Sequence, residues 1–290
     1  MKGFFKDSSF AGRLFQFLFI FYFCLLGGIV FGTFISSGSA DDNFSMKILT
    51  MIQSISSFLI PSFVLAYLWS EKPFYFLYLK TKSDGKAFFL VILMMIAVIP
   101  FINLLADLNQ KIVFPGFMSE LEEQMKAMEE RAATQTANLL TAHTIAGLFF
   151  NIFLVAVIPA LGEELFFRGT LQRLISDAKG AVLAIWVVAF VFSAIHMQFY
   201  GFIPRLLLGA FFGYLLVWSK NMWLPIVAHF VNNAIAVILY YLSDKICLKI
   251  DLDTIGAGNT WWLGIVSGLV SICGFYLLKK YFAEKNKLKL

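Results

Sequence analysis

The chain has 290 residues, of which 60% are apolar, 34 are phenylalanine and only 14% are charged. Soluble domains average about 45–50% apolar and about 25% charged residues, so this composition excludes a soluble globular protein and predicts an integral membrane protein. The apolar segments are continuous rather than alternating, which argues against a transmembrane β-barrel. The net charge of +5 is informative only through its distribution along the chain.

The amino-terminal segment is basic and precedes a long apolar run. Lys2, Lys6 and Arg13 come before the run from Leu14 to Ile35. The apolar core of a signal peptide has only about 7–15 residues. We therefore expect this run to be a retained first transmembrane span, although the stretch from Ser37 to Ala40 resembles a signal-peptidase site.

Eight apolar segments are long enough to cross a membrane, at about 20 residues per helical span. They lie at residues 14–36, 48–69, 87–106, 143–171, 181–200, 203–219, 225–243 and 260–281. With the amino terminus inside, the inner segments carry 16 of the 23 Lys and Arg residues and the outer segments carry 7. This excess follows the positive-inside rule. It predicts an all-α, polytopic, single integral membrane domain over residues 1–290, with both termini in the cytoplasm.

The longest segment between spans, residues 107–142, shows helical periodicity. Its apolar side chains recur at Met118, Leu121, Met125 and Met128, and glutamates occupy the other faces. This spacing predicts an amphipathic helix over residues 118–133, outside the membrane at the outer interface or capping the bundle. Because membrane-binding helices are usually basic, we expect this acidic helix to pack on the bundle rather than to gate substrate entry.

The three cysteines give no sign of a metal site or a disulfide framework. Cys24, Cys247 and Cys273 lie in or beside apolar runs, without the spacings typical of either. We expect them to be small buried hydrophobic residues.

Three ionisable residues, Glu163, Glu164 and Arg168, interrupt the fourth span. Charged groups at membrane depth are costly and indicate a functional site. Glu164 and Arg168 are four residues apart, so they share a helix face and can pair, whereas Glu163 points about 100° away. One carboxylate is thus expected to be held by the arginine while the other faces a different environment. Pro159 predicts a kink four residues before Glu163.

His196 is predicted to lie at the same depth as Glu163. The turn between the fourth and fifth spans centres on Lys179 and Gly180; Glu163 is 16 residues before Lys179 and His196 is 16 residues after Gly180. In an antiparallel helical hairpin, equal distances from the tip mean equal depth. We expect the tip of this hairpin to project into the cytoplasm.

His229 and Asn233 are also four residues apart, on one face of the seventh span. Their N–H groups can stabilise an oxyanion in a water-poor site, or they can join helices by hydrogen bonds. The adjacent Asn232 faces away and is expected to be structural. Arg205 is expected to extend to the membrane interface, and His143 is expected to be interfacial.

In chain order, these residues resemble the motifs of a known family. Glu163-Glu164-xxx-Arg168, Phe192-xxx-His196 and His229-xxx-Asn233 resemble the three motifs of the CPBP intramembrane proteases, the Abi or CAAX-protease superfamily that includes the type II CAAX prenyl endopeptidases. Arg168-Gly169-xx-Gln172 and Trp223-Leu224-Pro225-Ile226-xx-His229 also fit the family's usual context. The resemblance covers residues 145–243 and is specific, because all three motifs occur in order on predicted spans.

The resemblance implies an eight-helix fold with a cavity open to the cytoplasm. It also implies a glutamate-dependent endopeptidase that needs no cofactor or metal. Glu163 and His196 would activate water, and His229 and Asn233 would bind the oxyanion. Supporting roles would fall to Glu164 and Arg168, and to Phe192, which would pack against the cavity wall.

Other functions stay open from the residues alone. A zinc-dependent protease could use the same glutamate and histidines, although no His-Glu-x-x-His helix is present. A transporter can use intramembrane ionisable groups as a relay, and a non-catalytic scaffold or immunity factor could retain the fold. The expected partners are a peptide or protein substrate, such as a membrane-protein tail, and the lipid bilayer, with no nucleic acid. The expected location is a bacterial plasma membrane.

Overall fold

A computed structural model of the chain describes residues 2–36, 42–82, 84–246 and 254–287. Throughout these ranges the regular structure is helical, which confirms the all-α prediction. Two parts of the sequence discussed above lie outside the described residues: the signal-peptidase-like stretch from Ser37 to Ala40, and one of the three cysteines, Cys247.

The helices follow one another with short connections. They are α1 (Phe10–Ser36), α2 (Asn43–Trp69), α3 (Gly85–Ala97), α4 (Ile99–Gln110), α5 (Ser119–Leu140), α6 (Ile145–Lys179), α7 (Ala181–Ala194), α8 (Phe202–Ser219), α9 (Trp223–Ile246) and α10 (Trp261–Lys287). A helical turn, Pro73–Phe76, lies between α2 and α3. Helix α2 contains a π-helical segment, Ile55–Leu59, and α6 contains two more, Phe153–Val157 and Glu164–Gln172.

Most of these helices have the length and composition of membrane-spanning helices. In a bilayer each backbone N–H and C=O group must form its hydrogen bond within the protein, which a helix provides. In the described part of the chain, six are long and apolar enough to cross a bilayer: α1, α2, α6, α8, α9, and α10 with the turn before it. Helices α3 and α4 meet at a bend of 41° and pass the same test as one broken span. Helix α7 has only 14 residues, fewer than the roughly 17–25 of a typical span. The chain is therefore an integral membrane protein, while the count of eight spans stays a prediction.

Helix α6 lies at the centre of the bundle and contacts α1, α2, α7, α8 and α9. Its π-helical segment Glu164–Gln172 is buried at every residue. Around it, large side chains such as Leu65, Phe167, Phe192 and Met222 form the main apolar cluster. Since lipid is as apolar as these side chains, close van der Waals packing rather than exclusion of water holds the helices together.

Helix α5 confirms the helix predicted from the methionine spacing but extends further, to Leu140, through a stretch without proline or glycine. Leu140 is its only buried residue; Met125 and Met128 are half-buried, and Leu121 is exposed. The apolar stripe therefore packs only lightly on the bundle.

The two described cysteines differ in exposure. Cys24 is half-buried, whereas Cys273 is exposed. The prediction of burial is thus wrong for Cys273, which lies on the same surface of α10 as the exposed Leu269, Ile272 and Tyr276.

Asp84 joins the start of α3 to the end of α10. Asp84 is the N-cap of α3, and its side chain accepts a hydrogen bond from the Ala87 N–H. The same carboxylate accepts from Lys285 and from the Tyr281 hydroxyl, the latter at 2.6 Å. Burial alone would raise the pKa of Asp84, but the hydrogen bonds from Lys285 and Tyr281 outweigh it and lower the pKa below its ordinary value. The stabilisation is therefore present at neutral pH and is lost as the pH falls through this lowered pKa.

Asp84→Ala should lower the melting temperature by about 2–4 °C at neutral pH, because losing an N-cap costs about 1 kcal/mol. Asp84→Asn retains a capping oxygen and should lower it less. Thermal unfolding of the purified protein measures both, with the exposed Asp7→Ala as the control. A melting temperature for Asp84→Ala equal to that of the control would contradict this role.

Candidate active site

The hairpin of α6 and α7 sets the depth of the site residues. It turns at Gly180, whose φ of 91° suits glycine, as predicted. Arg168 and Phe192 are equally far from this turn, and they meet: the Arg168 guanidinium carbon lies 4.6 Å from the centroid of the Phe192 ring. The antiparallel register is therefore the one that the spacing predicts.

Two π-helical segments flank Glu163 on α6, Phe153–Val157 and Glu164–Gln172. The first lies just before Pro159, where a kink was predicted. Pro159 has no N–H for the carbonyl of Val155 four residues earlier, and this carbonyl accepts a hydrogen bond from Asn233 Nδ2 at 3.0 Å. The irregularity of the helix thus provides the acceptor that holds Asn233 of α9 beside α6.

Glu164 and Arg168 form the predicted pair. Arg168 Nη1 donates to Glu164 Oε1 at 2.8 Å, and neither side chain has any exposed surface. Arg168 Nη2 donates to the Gly209 carbonyl at 3.0 Å, and its guanidinium lies between the rings of Phe192 and Phe212. The buried charges are thus neutralised against each other and enclosed by aromatic rings.

His229 extends this pair toward Glu163. Its Nδ1 lies 2.8 Å from Glu164 Oε1, and its Nε2 lies 3.9 Å from Glu163 Oε2. Glu164 Oε1 already accepts a hydrogen bond from Arg168, so it also accepts in its contact with His229. The proton shared between Glu164 and His229 is therefore on His229 Nδ1. A buried chain therefore runs from Arg168 through Glu164 to His229, and it directs Nε2 at Glu163.

Phe192 brings the two histidines together. Its ring centroid lies 5.0 Å from that of His196 and 6.1 Å from that of His229, and the His229 ring stacks on Phe212 at 5.5 Å. The aromatic rings give the site an apolar wall, in which charge–charge and hydrogen-bond energies exceed those in water.

His196 does not lie within a helix, because α7 ends at Ala194 rather than near residue 200. It occupies the following turn, where Met197 has a positive φ of 53°. His196 Nδ1 is 2.7 Å from the Phe192 carbonyl, which can only accept. The proton is therefore on Nδ1, and Nε2 carries a lone pair.

Asn232 is not simply turned away from the site. Its Nδ2 donates to Asn233 Oδ1 at 3.1 Å, so it orients the Asn233 amide. His143, by contrast, is exposed between α5 and α6 and lies apart from these residues.

Two features of the site were missed from the sequence. Gly209 and Gly213, four residues apart on α8, accept from Arg168 and from Gln172 through their carbonyls. A Cβ on Gly213 would lie 2.7 Å from Gln172 Oε1. Small residues at this spacing are a recognised signal of close helix packing in membranes and could have identified this contact.

The second feature is the contact of Arg205 with the turn before α8. Its side chain folds back over Gly201 and donates to Gln198 Oε1 at 2.8 Å, and its position at the membrane interface stays a prediction. The Arg205 side chain thus contacts the turn that carries His196.

Within the described ranges, no group of three or more His, Cys, Asp or Glu residues is arranged to hold a metal ion. The cluster of Glu163, Glu164 and His229 is instead connected by hydrogen bonds and charge to Arg168.

Comparison with known proteins connects this site to a family. Residues 145–235 match the family model described as type II CAAX prenyl endopeptidase Rce1-like. The uncharacterized protein YpbD of Bacillus subtilis (strain 168) is 31% identical over 89 residues, which cover 29% of this chain and 43% of YpbD. The matched part of the chain thus spans less than half the length of this curated relative. No solved structure matches the chain. The family resemblance seen in the motifs is confirmed over the segment that contains Glu163, His196, His229 and Asn233.

Proposed function

We propose that this chain, whose site segment matches a family of membrane proteases, is an intramembrane endopeptidase. Glu163 and His196 would activate a water molecule, and His229 and Asn233 would bind the oxyanion. The observation that carries the proposal is the buried chain Arg168–Glu164–His229, which holds Nε2 of His229 at 3.9 Å from Glu163. Opposed charges fixed in an apolar enclosure are the arrangement that stabilises a polar transition state.

The nucleophile would be a water molecule that donates to Glu163 and to His196. Both are acceptors, since His196 uses its Nδ1–H on the Phe192 carbonyl and keeps the lone pair on Nε2. As the water oxygen bonds to the peptide carbonyl carbon, Glu163 takes one of its protons. General-base assistance of this kind contributes about 10²–10⁴ in rate.

The oxyanion would be bound by His229 and Asn233. With Nδ1–H donated to Glu164, the Nε2 of His229 would donate to the oxyanion when both ring nitrogens carry protons. Asn233 Nδ2 has a second N–H beyond the one given to Val155. When the intermediate collapses, the C–N bond breaks and Glu163 returns its proton to the leaving amine.

The proposed substrate is a peptide or the tail of a membrane protein, cut at a bacterial plasma membrane. The eight-span topology with both termini in the cytoplasm belongs to the same proposal, as does the cavity open to the cytoplasm. The apolar enclosure by Phe192 and Phe212 supports it, because a peptide bond there reacts away from bulk water.

Purified full-length protein in nanodiscs should cut some members of a random-sequence peptide library, with new termini found by mass spectrometry. Cleavage should persist in a strong zinc chelator and should fall by about 10²-fold or more in His196→Ala, which lacks one of the two water acceptors. Loss of cleavage in chelator with recovery on added zinc would identify a zinc-dependent protease instead. The absence of any product from the wild type would favour a scaffold or a transporter.

A further inference from the structure

Among the described residues, no carboxylate is hydrogen-bonded to Arg205, which lies beside the turn that carries His196. Its Nη2 donates to Gln198 Oε1 at 2.8 Å and its Nη1 to the Gln198 carbonyl at 3.5 Å, both neutral acceptors. A Cβ on Gly201 would come within 2.9 Å of Nη2, so glycine at this position gives the guanidinium its space. The cation is thereby held in the same turn as His196.

Two carboxylates on different helices lie near this cation. Glu163 on α6 and Glu129 on α5 both interact with Arg205 electrostatically. In the described part of the chain, neither forms an ion pair with it within 4.0 Å. Glu129 Oε2 is buried and accepts no hydrogen bond within the described residues. Among the described residues, the guanidinium of Arg205 is therefore hydrogen-bonded to neutral acceptors and not to a carboxylate.

Helix α5 lies near this turn, and its hydrogen bonds to other helices are at its carboxyl-terminal end. Near Glu129, Lys126 interacts electrostatically with Tyr200. At the carboxyl-terminal end of α5, two backbone carbonyl groups accept hydrogen bonds from buried side chains. Lys47 Nζ donates to the Thr141 carbonyl at 2.8 Å, and Asn151 Nδ2 donates to the Leu140 carbonyl at 2.7 Å. Helix α5 is otherwise poorly buried, and elements with so few buried contacts move most readily.

We propose that Arg205 is a specificity-determining residue that binds a carboxylate of the peptide substrate, and that the charge of Glu129 on α5 competes electrostatically with this carboxylate. The inference rests on the proposed peptidase function and adds a substrate class, an acidic peptide. An arginine fork fits a carboxylate through two parallel hydrogen bonds. A substrate carboxylate at Arg205 also leaves Glu163 free to act on water.

The test uses three random-sequence peptide libraries as probes. One is amidated and contains Asp and Glu, one has a free terminal carboxylate but no Asp or Glu, and one is amidated without any acid. Binding is measured by affinity selection on full-length His196→Ala protein in nanodiscs, where turnover is blocked and Glu163 is unchanged. Cleavage is measured separately on protein with His196 intact.

Arg205→Gln should lower the retention of acidic peptides by about tenfold or more relative to the acid-free library, because it removes charge-assisted hydrogen bonds to the carboxylate. Arg205→Lys should retain part of the preference, since lysine keeps the charge but not the fork. Glu129→Gln should raise the retention of acidic peptides by about two- to fivefold, the effect expected for losing a solvent-screened competing charge.

The matched controls are Arg131→Gln and Glu130→Gln, which make the same charge changes at exposed positions of α5. They should leave the preference unchanged. The library that responds identifies the source of the carboxylate, a side chain or the peptide terminus. Equal retention of all three libraries by the Arg205-intact protein, or an acid preference that survives in Arg205→Gln, would overturn the inference. Acid-dependent binding that requires Arg205, without any cleavage by the protein with His196 intact, would support carboxylate binding at Arg205 and refute the peptidase.

Discussion

Glu163→Gln should reduce peptide cleavage by about 10²-fold or more, because glutamine keeps the shape of the side chain but cannot take a proton from water. Its melting temperature should stay near that of the wild type. Glu163 lies 3.9 Å from His229 Nε2 and is not the partner of the buried arginine. Initial rates on a cleaved library peptide and thermal unfolding, both in the same nanodiscs, give the two quantities.

Glu164→Gln is the matched comparison, one residue along the same helix. Glu164 accepts from both Arg168 and His229, so this change should lower the melting temperature as well as the rate. The expected pattern is loss of rate alone at Glu163 and loss of both at Glu164. A Glu163→Gln protein that keeps a rate within about threefold of the wild type would refute Glu163 as the general base.

Contacts within a single helix were predictable because residue spacing fixes which side chains share a face. Glu164 and Arg168 pair as their four-residue separation indicates. The hairpin register was predictable for a similar reason, since it needs only the position of the turn at Gly180 and a constant rise per residue. These predictions depend on local geometry and not on how distant helices pack.

Contacts between helices were harder to predict. The hydrogen bond from His229 to Glu164 depends on the rotation of α9 against α6, which no spacing within either helix determines. The π-helical segment before Pro159 changes which side of α6 faces α9. A pattern with 3.6 residues per turn does not reveal such a segment. The roles of Glu163, His196, His229 and Asn233 stay predictions for the same reason: chemistry depends on placement between helices.

The end of α7 shows how apolar composition misleads at a helix terminus. Hydropathy continues past Ala194 through Ile195 and Met197, but the chain turns there. Arg205 begins the next apolar span, and spacing along the chain does not reveal which residue its side chain contacts. Its hydrogen-bond partner Gln198 belongs to the turn itself, so the conformation of the turn determines the position of the Arg205 guanidinium.

Arg168→Met should destabilise the protein by about 3–5 kcal/mol, because it leaves Glu164 as a buried carboxylate without its cation. The change also removes the hydrogen bond to the Gly209 carbonyl and the stacking on Phe192. We expect a large fall in melting temperature and in the yield of monodisperse protein. Arg131→Met, at an exposed position of α5, is the control and should behave as the wild type.

The double variant Glu164→Gln/Arg168→Met separates the buried charge from the lost packing. Removing both partners takes away the uncompensated carboxylate, so the double variant should melt at a higher temperature than Arg168→Met alone. Its cleavage should stay low, since the ionised carboxylate that orients His229 is gone. If the double variant melts no higher than Arg168→Met, the ion pair does not neutralise a buried charge, and packing of the arginine against Phe192 and Phe212 accounts for its effect on stability.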